Sequence, residues 1–182
     1  MITRGFDIDA VIRKIPDHPH DGILFYDLMP LFQSPEGLAA GVDRLAEWSR
    51  PRDPELVMGV EARGFVLGGA LARSLEVGFA GARKPGKLPG ASVREEYALE
   101  YGTDALELHT DAIRPGQRVL IHDDLLATGG TALAACRLVE ALGGIVAGVA
   151  VVVELTFLPG RAVLDGYDVV SLVTYDNEVA PS

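Results

Sequence analysis

The sequence predicts an α/β fold, in which a central, mostly parallel sheet is flanked by helices on both faces. Short apolar segments alternate with segments of helical spacing along the chain, the pattern of parallel strands joined by helices. The apolar run at residues 145–153 has the length of a fully buried strand and is too short to cross a bilayer. Two strand-like segments around the turn at residues 102–104 predict one antiparallel hairpin as an interruption.

The first elements are short. Residues 7–15 have apolar side chains at helical spacing before a proline, which predicts an amphipathic helix. Residues 16–30 are rich in Pro, Asp and Gly and predict an ordered loop with a short strand at 23–26. Ser34, followed by a proline, is a typical helix N-cap, and the helix that it opens is expected to end before Pro51.

The rest of the chain alternates between strands and helices. Apolar segments of strand length predict the parallel strands, at residues 56–60, 77–82, 118–122, 145–153 and 168–174. The hairpin strands are predicted at residues 95–101 and 105–110, and the helices at residues 64–75 and 131–142. In such a sheet, ligands bind beyond the carboxyl ends of the strands, so functional motifs are sought immediately after strands.

Composition restricts the class of protein. The 182 residues are 48% hydrophobic and 23% charged, which predicts one globular domain over residues 1–182. The net charge of −10 disfavours nucleic acid as a partner, because an acidic surface repels a phosphate backbone. Cys136 is the single cysteine, and charges in residues 1–16 interrupt any apolar signal segment. We therefore expect a cytoplasmic protein that does not associate with membranes.

The strongest functional signal is VLIHDDLLATGGT at residues 119–131, which joins a predicted strand to a predicted helix. Its Thr-Gly-Gly-Thr turn presents backbone N–H groups and hydroxyls where the helix dipole favours an anion. No lysine follows the glycines, so the motif is not a P-loop. Asp123 and Asp124 would repel a bare phosphate, but they suit sugar hydroxyls or a metal ion held through water. The pattern predicts a phosphate site next to carboxylates that hold either sugar hydroxyls or a metal ion.

A second anion site is predicted at residues 61–64, where Glu-Ala-Arg-Gly follows a strand and opens a helix. The basic loop at residues 83–87 supplies three cations that the acidic composition otherwise lacks, and its Gly and Pro favour an ordered loop that reaches over a ligand. Both segments are suited to a second phosphate group.

The 119–131 segment resembles the phosphoribosyl pyrophosphate (PRPP) signature of the type I phosphoribosyltransferases, and their adenine-specific branch in particular. Further segments match that branch in the same order, namely PDHPHDGILFYD (16–27), EARGF (61–65), RKPGKLPG (83–90), YALEYGTDALELH (97–109) and VELTFLPGR (153–161). The resemblance covers nearly the whole chain. It implies the type I phosphoribosyltransferase fold, with a small hood and base-binding segment at 1–33 and a flexible catalytic hairpin loop at 84–110.

The resemblance also implies an activity and its partners. The expected enzyme is a pentosyltransferase that converts adenine and PRPP into AMP and pyrophosphate. Mg²⁺ is expected to be held by the pyrophosphate and the ribose hydroxyls, near Asp123 and Asp124. A homodimer is implied, because in the family one basic loop residue reaches the neighbouring subunit's pyrophosphate.

Two alternatives stay open. A sister enzyme for guanine, xanthine or hypoxanthine would share the phosphate-binding machinery. A regulator that senses PRPP without catalysis belongs to a different class. Known examples have an N-terminal DNA-binding domain, for which the residues before Pro16 leave no room.

The resemblance assigns roles to individual residues. The expected catalytic residues are Glu100, which would exchange a proton with purine N7, and Tyr101. The ribose and its 5′-phosphate are assigned to Asp123, Asp124, Ala127, Thr128, Gly129, Gly130 and Thr131. The pyrophosphate is assigned to Glu61, Ala62, Arg63, Arg83, Lys84 and Lys87. The adenine is assigned to Leu24, Phe25 and Tyr26, with the Phe25 ring stacked on the base and the Leu24 backbone reading its Watson–Crick edge.

Three details of the resemblance concern individual positions. In the family, the turn at residues 61–64 contains a non-proline cis peptide, which would here join Glu61 to Ala62. The base-binding segment departs from the family pattern at His18, Asp21 and Tyr26, where an aromatic residue, Pro and Arg are common. His122 occupies a position that is normally aliphatic, and it is expected to hydrogen-bond within the sheet.

Overall fold

The computed structural model describes residues 5–98 and 102–177. Along these residues the strands are β1 (Arg13–Ile15), β2 (Phe25–Asp27), β3 (Leu56–Val60), β4 (Gly78–Ala82), β5 (Ser92–Ala98), β6 (Thr103–His109), β7 (Arg118–Leu126), β8 (Ile145–Leu155) and β9 (Val169–Tyr175). The α-helices are α1 (Met29–Gln33), α2 (Pro35–Ser49), α3 (Gly64–Leu75), α4 (Gly130–Ala141) and α5 (Gly160–Val163).

A parallel sheet in the strand order β4-β3-β7-β8-β9 forms the centre of this structure. Its side chains alternate between two faces, as strand geometry requires. On β7, Val119 and Ile121 pack with the apolar side of α4, whereas Leu120 packs with Leu45 of α2 and Leu71 of α3. Helices therefore cover both faces of the sheet, and the predicted α/β architecture is confirmed.

The predicted strands and helices of the sheet are found with small shifts of their ends. β3 and α3 have the predicted bounds, while β4, α4 and β9 each differ by one residue. β7 and β8 are longer than predicted, because their ladder continues through the pairs Asp123–Val151 and Leu125–Val153. Both aspartates of the motif therefore lie inside β7, near its carboxyl end, and the prediction that they follow the strand is wrong. The predicted strand ended before the two aspartates because a buried strand is expected to be apolar.

The prediction of a helix at residues 7–15 is also wrong. A single 3-10 turn at Asp9–Val11 is followed by extended backbone at Ile12, and β1 then pairs antiparallel with β2. Ile8 and Ile12 are buried in one apolar cluster, so the helical spacing of the apolar residues is satisfied without a helix. Pairing with β2 supplies the backbone hydrogen bonds that a helix would otherwise have made.

The segment around α1 and α2 agrees better with the prediction. The strand predicted at 23–26 is found two residues later as β2, and the short helix α1 was not predicted. The Ser34 hydroxyl oxygen accepts a hydrogen bond from the Gly37 N–H at 3.0 Å, which is the expected N-cap of α2. α2 ends at Ser49, before Pro51.

The antiparallel hairpin consists of β5 and β6, and Tyr97 lies directly opposite Asp104 in its register. β5 begins three residues earlier than the predicted strand, and the last part of that predicted strand lies outside the described residues. The hairpin packs on α4, where Arg137 donates to Glu95 at 3.1 Å. None of the helices found in residues 5–98 and 102–177 has the length and apolar character needed to cross a membrane.

Candidate active site

A cleft of about 300 Å³ opens at the carboxyl ends of β3 and β7. Two turns form its walls: the α3 turn (residues 61–64), between β3 and α3, and the α4 turn (residues 127–131), between β7 and α4. The predicted site residues that line it are Glu61, Ala62, Arg63, Lys84, Asp123, Asp124, Ala127, Thr128, Gly129 and Thr131. The structure thus brings together residues of both predicted anion sites, which are far apart in sequence.

The α4 turn begins the helix with free backbone donors. Gly129 has a φ of +86° and precedes the first helical residue, Gly130, with no side chain capping the helix. The first N–H groups of α4 therefore have no partner from a cap, and the helix dipole adds positive potential at the same place. A methyl group at Gly129 would also lie 2.9 Å from the Gly160 carbonyl oxygen, so both its conformation and its close packing require glycine.

The α3 turn lies next to β7. The peptide bond between Glu61 and Ala62 is cis, as predicted. A methyl group at Gly64 would lie 2.8 Å from the His122 carbonyl oxygen and 3.2 Å from the Asp123 Cα. Glycine at this position therefore lets α3 begin directly against the strand that carries the two aspartates.

Arg63 connects the α3 turn to β7. Its Nε lies 2.8 Å from Asp124 Oδ2, although the N–H does not point at that oxygen well enough for a hydrogen bond. Asp124 Oδ2 is buried and has no hydrogen-bond donor among the described residues. The Arg63 guanidinium also lies 5.5 Å from the centre of the Phe25 ring. Arg63 is therefore placed between the aspartates and the predicted base-binding segment.

The two aspartates are protonated more readily than ordinary carboxylates. Burial and the negative charge of Asp124 raise the pKa of Asp123 well above its usual range. Burial also raises the pKa of Asp124, against the opposing attraction of Arg63. Asp123 Oδ1 accepts a hydrogen bond from the Asp124 N–H at 2.8 Å. The Asp124 carboxylate is buried and that of Asp123 is half-buried, and such a pair with one nearby cation favours a further positive charge in the cleft.

Glu61 fastens the basic loop to the α3 turn. Its carboxylate accepts hydrogen bonds from Arg83 Nε at 3.0 Å, from Arg83 Nη2 at 3.3 Å and from the Lys84 N–H at 2.7 Å. The Arg83 hydrogen bond, followed by that from the Lys84 backbone, lowers the pKa of Glu61. Lys87 is exposed at the edge of this loop. Arg83 is thus bound within its own chain, while the Lys84 side chain lines the cleft.

Lys84 also connects the cleft to the β5–β6 hairpin. Its Nζ donates to the Tyr97 hydroxyl at 2.6 Å and makes a shorter contact with the Asp104 carboxylate, to which Tyr97 donates at 3.1 Å. Burial disfavours the Lys84 ammonium, but the contacts with Asp104 and Tyr97 outweigh it and raise the pKa of Lys84. The sequence analysis missed Asp104 as a site residue. The predicted hairpin placed Asp104 in its turn, and only the observed register brings it opposite Tyr97.

The predicted catalytic residues, Glu100 and Tyr101, lie outside the described residues, so their roles stay predictions.

The predicted base-binding residues differ in their orientation. Phe25 is partly exposed, and the His18 ring meets it edge-on with 4.9 Å between ring centres. Leu24 and Tyr26 are buried, and the Tyr26 ring stacks on Tyr175 at 4.2 Å. Of the three, Phe25 presents its ring toward Arg63, whereas the Tyr26 ring belongs to the apolar core.

His122 is part of the frame behind the cleft. Its Nδ1 donates to the Ala150 carbonyl of β8 at 2.8 Å, which confirms the expected hydrogen bond within the sheet. Its Nε2 is buried and has no partner among the described residues. Burial, only partly opposed by the Ala150 hydrogen bond, lowers the pKa of His122 to about 4, so the ring is neutral at pH 7.

Comparison with known proteins gives consistent matches. The family model of the phosphoribosyl transferase domain matches residues 29–180. The chain is 54% identical over 169 residues, 93% of either chain, to the adenine phosphoribosyltransferase of Koribacter versatilis (strain Ellin345). It resembles the crystal structure of adenine phosphoribosyltransferase from Thermoanaerobacter pseudethanolicus with a TM-score of 0.90 and 50% identity, over 92% of this chain and 98% of that one.

A further structural match contains ligands. The adenine phosphoribosyltransferase of Saccharomyces cerevisiae, complexed with D-2,5-dideoxy-2,5-imino-altritol 1,6-bisphosphate and adenine, has a TM-score of 0.86 and 39% identity. The match covers 91% of this chain and 96% of that one.

Proposed function

The chain belongs to the phosphoribosyltransferase family, and from that membership we propose that it converts adenine and PRPP into AMP and pyrophosphate. The observation that carries the proposal is the pair of helix-opening turns on one cleft, with two aspartates between them. PRPP has a phosphate at one end of its ribose and a pyrophosphate at the other, so two anion sites and a carboxylate pair match its chemistry.

In the proposed reaction, adenine N9 attacks the anomeric carbon, and the bond from that carbon to the pyrophosphate oxygen breaks. The α4 turn would hold the 5′-phosphate through its free N–H groups, and the α3 turn with Lys84 would hold the leaving pyrophosphate. Asp123 and Asp124 would bind the ribose hydroxyls and stabilise the positive charge that develops on the sugar.

The proton balance needs a group at the base. Adenine that carries its proton on N7 has a free lone pair at N9, and Glu100 is proposed to accept the N7 proton as N9 bonds to the sugar, with Tyr101 as the second catalytic residue. Phe25 would stack on the base, since its ring is partly exposed and lies on the cleft side of the N-terminal segment. Hydrogen bonds from the backbone at Leu24 would distinguish an amino group from an oxo group, because a reversed donor leaves buried polar atoms unpaired.

Mg²⁺ is proposed as the metal ion. The donor set suits it, because carboxylates are hard oxygen ligands and Asp124 Oδ2 has no hydrogen-bond donor among the described residues. Those residues contain no cluster of three or more His, Cys, Asp or Glu side chains suited to a metal, so substrate oxygens would complete the coordination. Bound there, Mg²⁺ would neutralise charge on the pyrophosphate. Asp123 and Asp124 would hold it near the ribose hydroxyls.

A homodimer is proposed from the exposed edge of the sheet. β4 is an edge strand, and the Phe79 side chain on it is 41% exposed. The Phe65 ring meets Phe79 edge-on, and Arg83 lies 5.9 Å from the centre of Phe65. A second copy on this patch would cover both apolar groups and lie beside the basic loop. A cytoplasmic location is part of the same proposal, supported by the buried free thiol of Cys136.

The experiment that tests the proposal is a base-selectivity assay. The purified protein is incubated with PRPP, MgCl₂ and one purine at a time, and nucleotide and pyrophosphate are quantified. AMP from adenine, with little product from hypoxanthine, guanine or xanthine, supports the proposal. Preference for an oxopurine would favour the sister enzyme, and PRPP binding without any product would favour a regulator.

A further inference from the structure

The segment after β8 has no part in the reaction proposed above, although it packs directly behind the α4 turn. A methyl group at Gly160 would lie 2.2 Å from the Ala127 carbonyl oxygen and 3.0 Å from Leu126 Cγ. A methyl group at Gly129 would lie 2.9 Å from the Gly160 carbonyl oxygen. The backbone of α5 therefore touches the backbone of the α4 turn with no side chain between them, and a shift of α5 must move the turn.

Arg161 fixes α5 to the sheet. Its Nε donates to Glu154 Oε1 at 2.9 Å, its Nη2 contacts the other oxygen of that carboxylate, and its Nη1 donates to the Val169 carbonyl at 2.6 Å. The Ser171 hydroxyl donates to Glu154 Oε2 at 2.7 Å. Glu154 is buried on β8, with 3% of its surface exposed. One guanidinium is thus held by two neighbouring strands, directly after the glycine that touches the α4 turn.

We propose that Arg161 is a positioning residue for the α4 turn. The Glu154 carboxylate orients Arg161, Arg161 fixes the first turn of α5, and Gly160 in that turn holds Ala127 and Gly129 in the shape that receives a sugar phosphate. The identity of that ligand as a ribose 5-phosphate group rests on the proposed function. Phosphate binding through N–H groups needs donor–acceptor distances near 2.9 Å, so small displacements of the turn weaken it.

The chemistry of the pair supports positioning over bulk stability. A buried ion pair is weak evidence for stability, because desolvation offsets much of its attraction. A bidentate arginine–carboxylate contact is however strongly directional, and it fixes the place and orientation of the guanidinium. In this protein, the contact fixes the orientation of α5 relative to the α4 turn.

The test measures ribose 5-phosphate binding by calorimetry, beside the steady-state KM values for PRPP and adenine. The variants are Arg161→Ala, Arg161→Lys and Gly160→Ala, with Ser171→Ala as a milder change that leaves the ion pair intact. Arg52→Ala is the matched control. Arg52 stacks on Trp48 at 3.5 Å and pairs with Asp168 at 3.3 Å, but it lies at the amino ends of the strands, where Arg118 binds its carbonyl.

We expect Arg161→Ala and Gly160→Ala to raise the ribose 5-phosphate Kd and the PRPP KM about tenfold, with the adenine KM changed less than about twofold. Arg161→Lys and Ser171→Ala are expected to give intermediate increases, and Arg52→Ala to lower Tm without changing the Kd. The proposal is overturned if the folded variants lose stability but bind ribose 5-phosphate like the wild type, or if the wild type does not bind it. A wild type that binds ribose 5-phosphate but makes no nucleotide would contradict the proposed function alone, and an increased Kd in the variants would then still support the positioning role.

Discussion

Arg63 Nε lies 2.8 Å from Asp124 Oδ2, and this contact joins the turn that opens α3 to the strand that leads into α4. The two side chains differ in solvent exposure, since that of Asp124 is 6% exposed and that of Arg63 is 41% exposed. Arg63 can therefore turn toward a ligand in the cleft, whereas Asp124 cannot leave.

Replacement of Arg63 tests this relationship. Arg63→Gln leaves a shorter polar side chain and removes the positive charge from both the pyrophosphate site and Asp124. We expect kcat/KM for PRPP to fall on the order of a hundredfold, because charge-assisted contacts to a leaving anion are lost. Arg73→Gln, in the last turn of the same helix, is the control and should change kcat/KM little. Equal effects of the two substitutions in steady-state assays would contradict a role for Arg63 at the ligand.

Asp123→Asn should separate stability from activity. The pKa of Asp123 is raised in the folded chain, so ionising this group at neutral pH opposes folding. The neutral amide removes that cost, and we expect a higher Tm, together with turnover reduced on the order of a hundredfold because the positive charge on the sugar is less stabilised. Thermal unfolding and rate measurements check this, with the exposed Asp111→Asn as control. A lower Tm for Asp123→Asn would show that its negative charge supports the fold.

The bond between Lys84 and Asp104 predicts competition with pyrophosphate. Asp104 and the Tyr97 hydroxyl hold the Lys84 ammonium in the described structure, so an incoming pyrophosphate has to draw it away from them. We expect Lys84→Met to weaken pyrophosphate binding about tenfold and Asp104→Asn to tighten it roughly threefold. Titration calorimetry with pyrophosphate measures both. The exposed Glu96→Gln on the adjacent strand is the charge-matched control, and weaker binding by Asp104→Asn would mean that Asp104 presents Lys84 to the ligand instead.

His122 predicts acid sensitivity of the fold. Its pKa is about 4 in the folded chain against 6.5 for an ordinary histidine, so the unfolded chain binds the extra proton between those values. Stability from this group is complete above pH 6.5 and is lost as the pH falls toward 4, by about 3 kcal/mol in total.

Urea unfolding of wild type and His122→Leu at several pH values between 4 and 7 measures this loss of stability on acidification. The wild type should lose more stability than the variant on acidification across that range. An exposed histidine, His20→Gln, is the control and should follow the wild type. Parallel pH curves for wild type and His122→Leu would exclude His122 as the source.

The fold was largely predictable because its sheet is buried on both faces. Strands such as β3 and helices such as α3 have apolar patterns whose ends are marked by charged residues or glycine, and both were found with the predicted bounds. The prediction of a helix around Ile8 and Ile12 failed for a physical reason. Apolar spacing reports only that both side chains are buried. The backbone conformation was decided by the pairing of β1 with β2, whose paired residues are ten or more positions apart in sequence.

The predictable parts of the site are those in which one short motif determines the local backbone structure. The turn before Gly130 and the cis peptide at Glu61 follow from short motifs and the family resemblance. The Lys84–Asp104 contact and the packing of Gly160 on Ala127 depend on how distant elements meet. No local pattern of residues encodes such contacts, and they became visible only with the strands and helices in place.

A crystal structure of the protein with PRPP and Mg²⁺, in the absence of any purine, would locate both proposed phosphate sites at once. We predict the 5′-phosphate on the N–H groups of residues 128–131, the pyrophosphate against Arg63 and Lys84, and the ribose hydroxyls beside Asp123 and Asp124. PRPP bound at full occupancy elsewhere on the chain, with both turns empty, would contradict it.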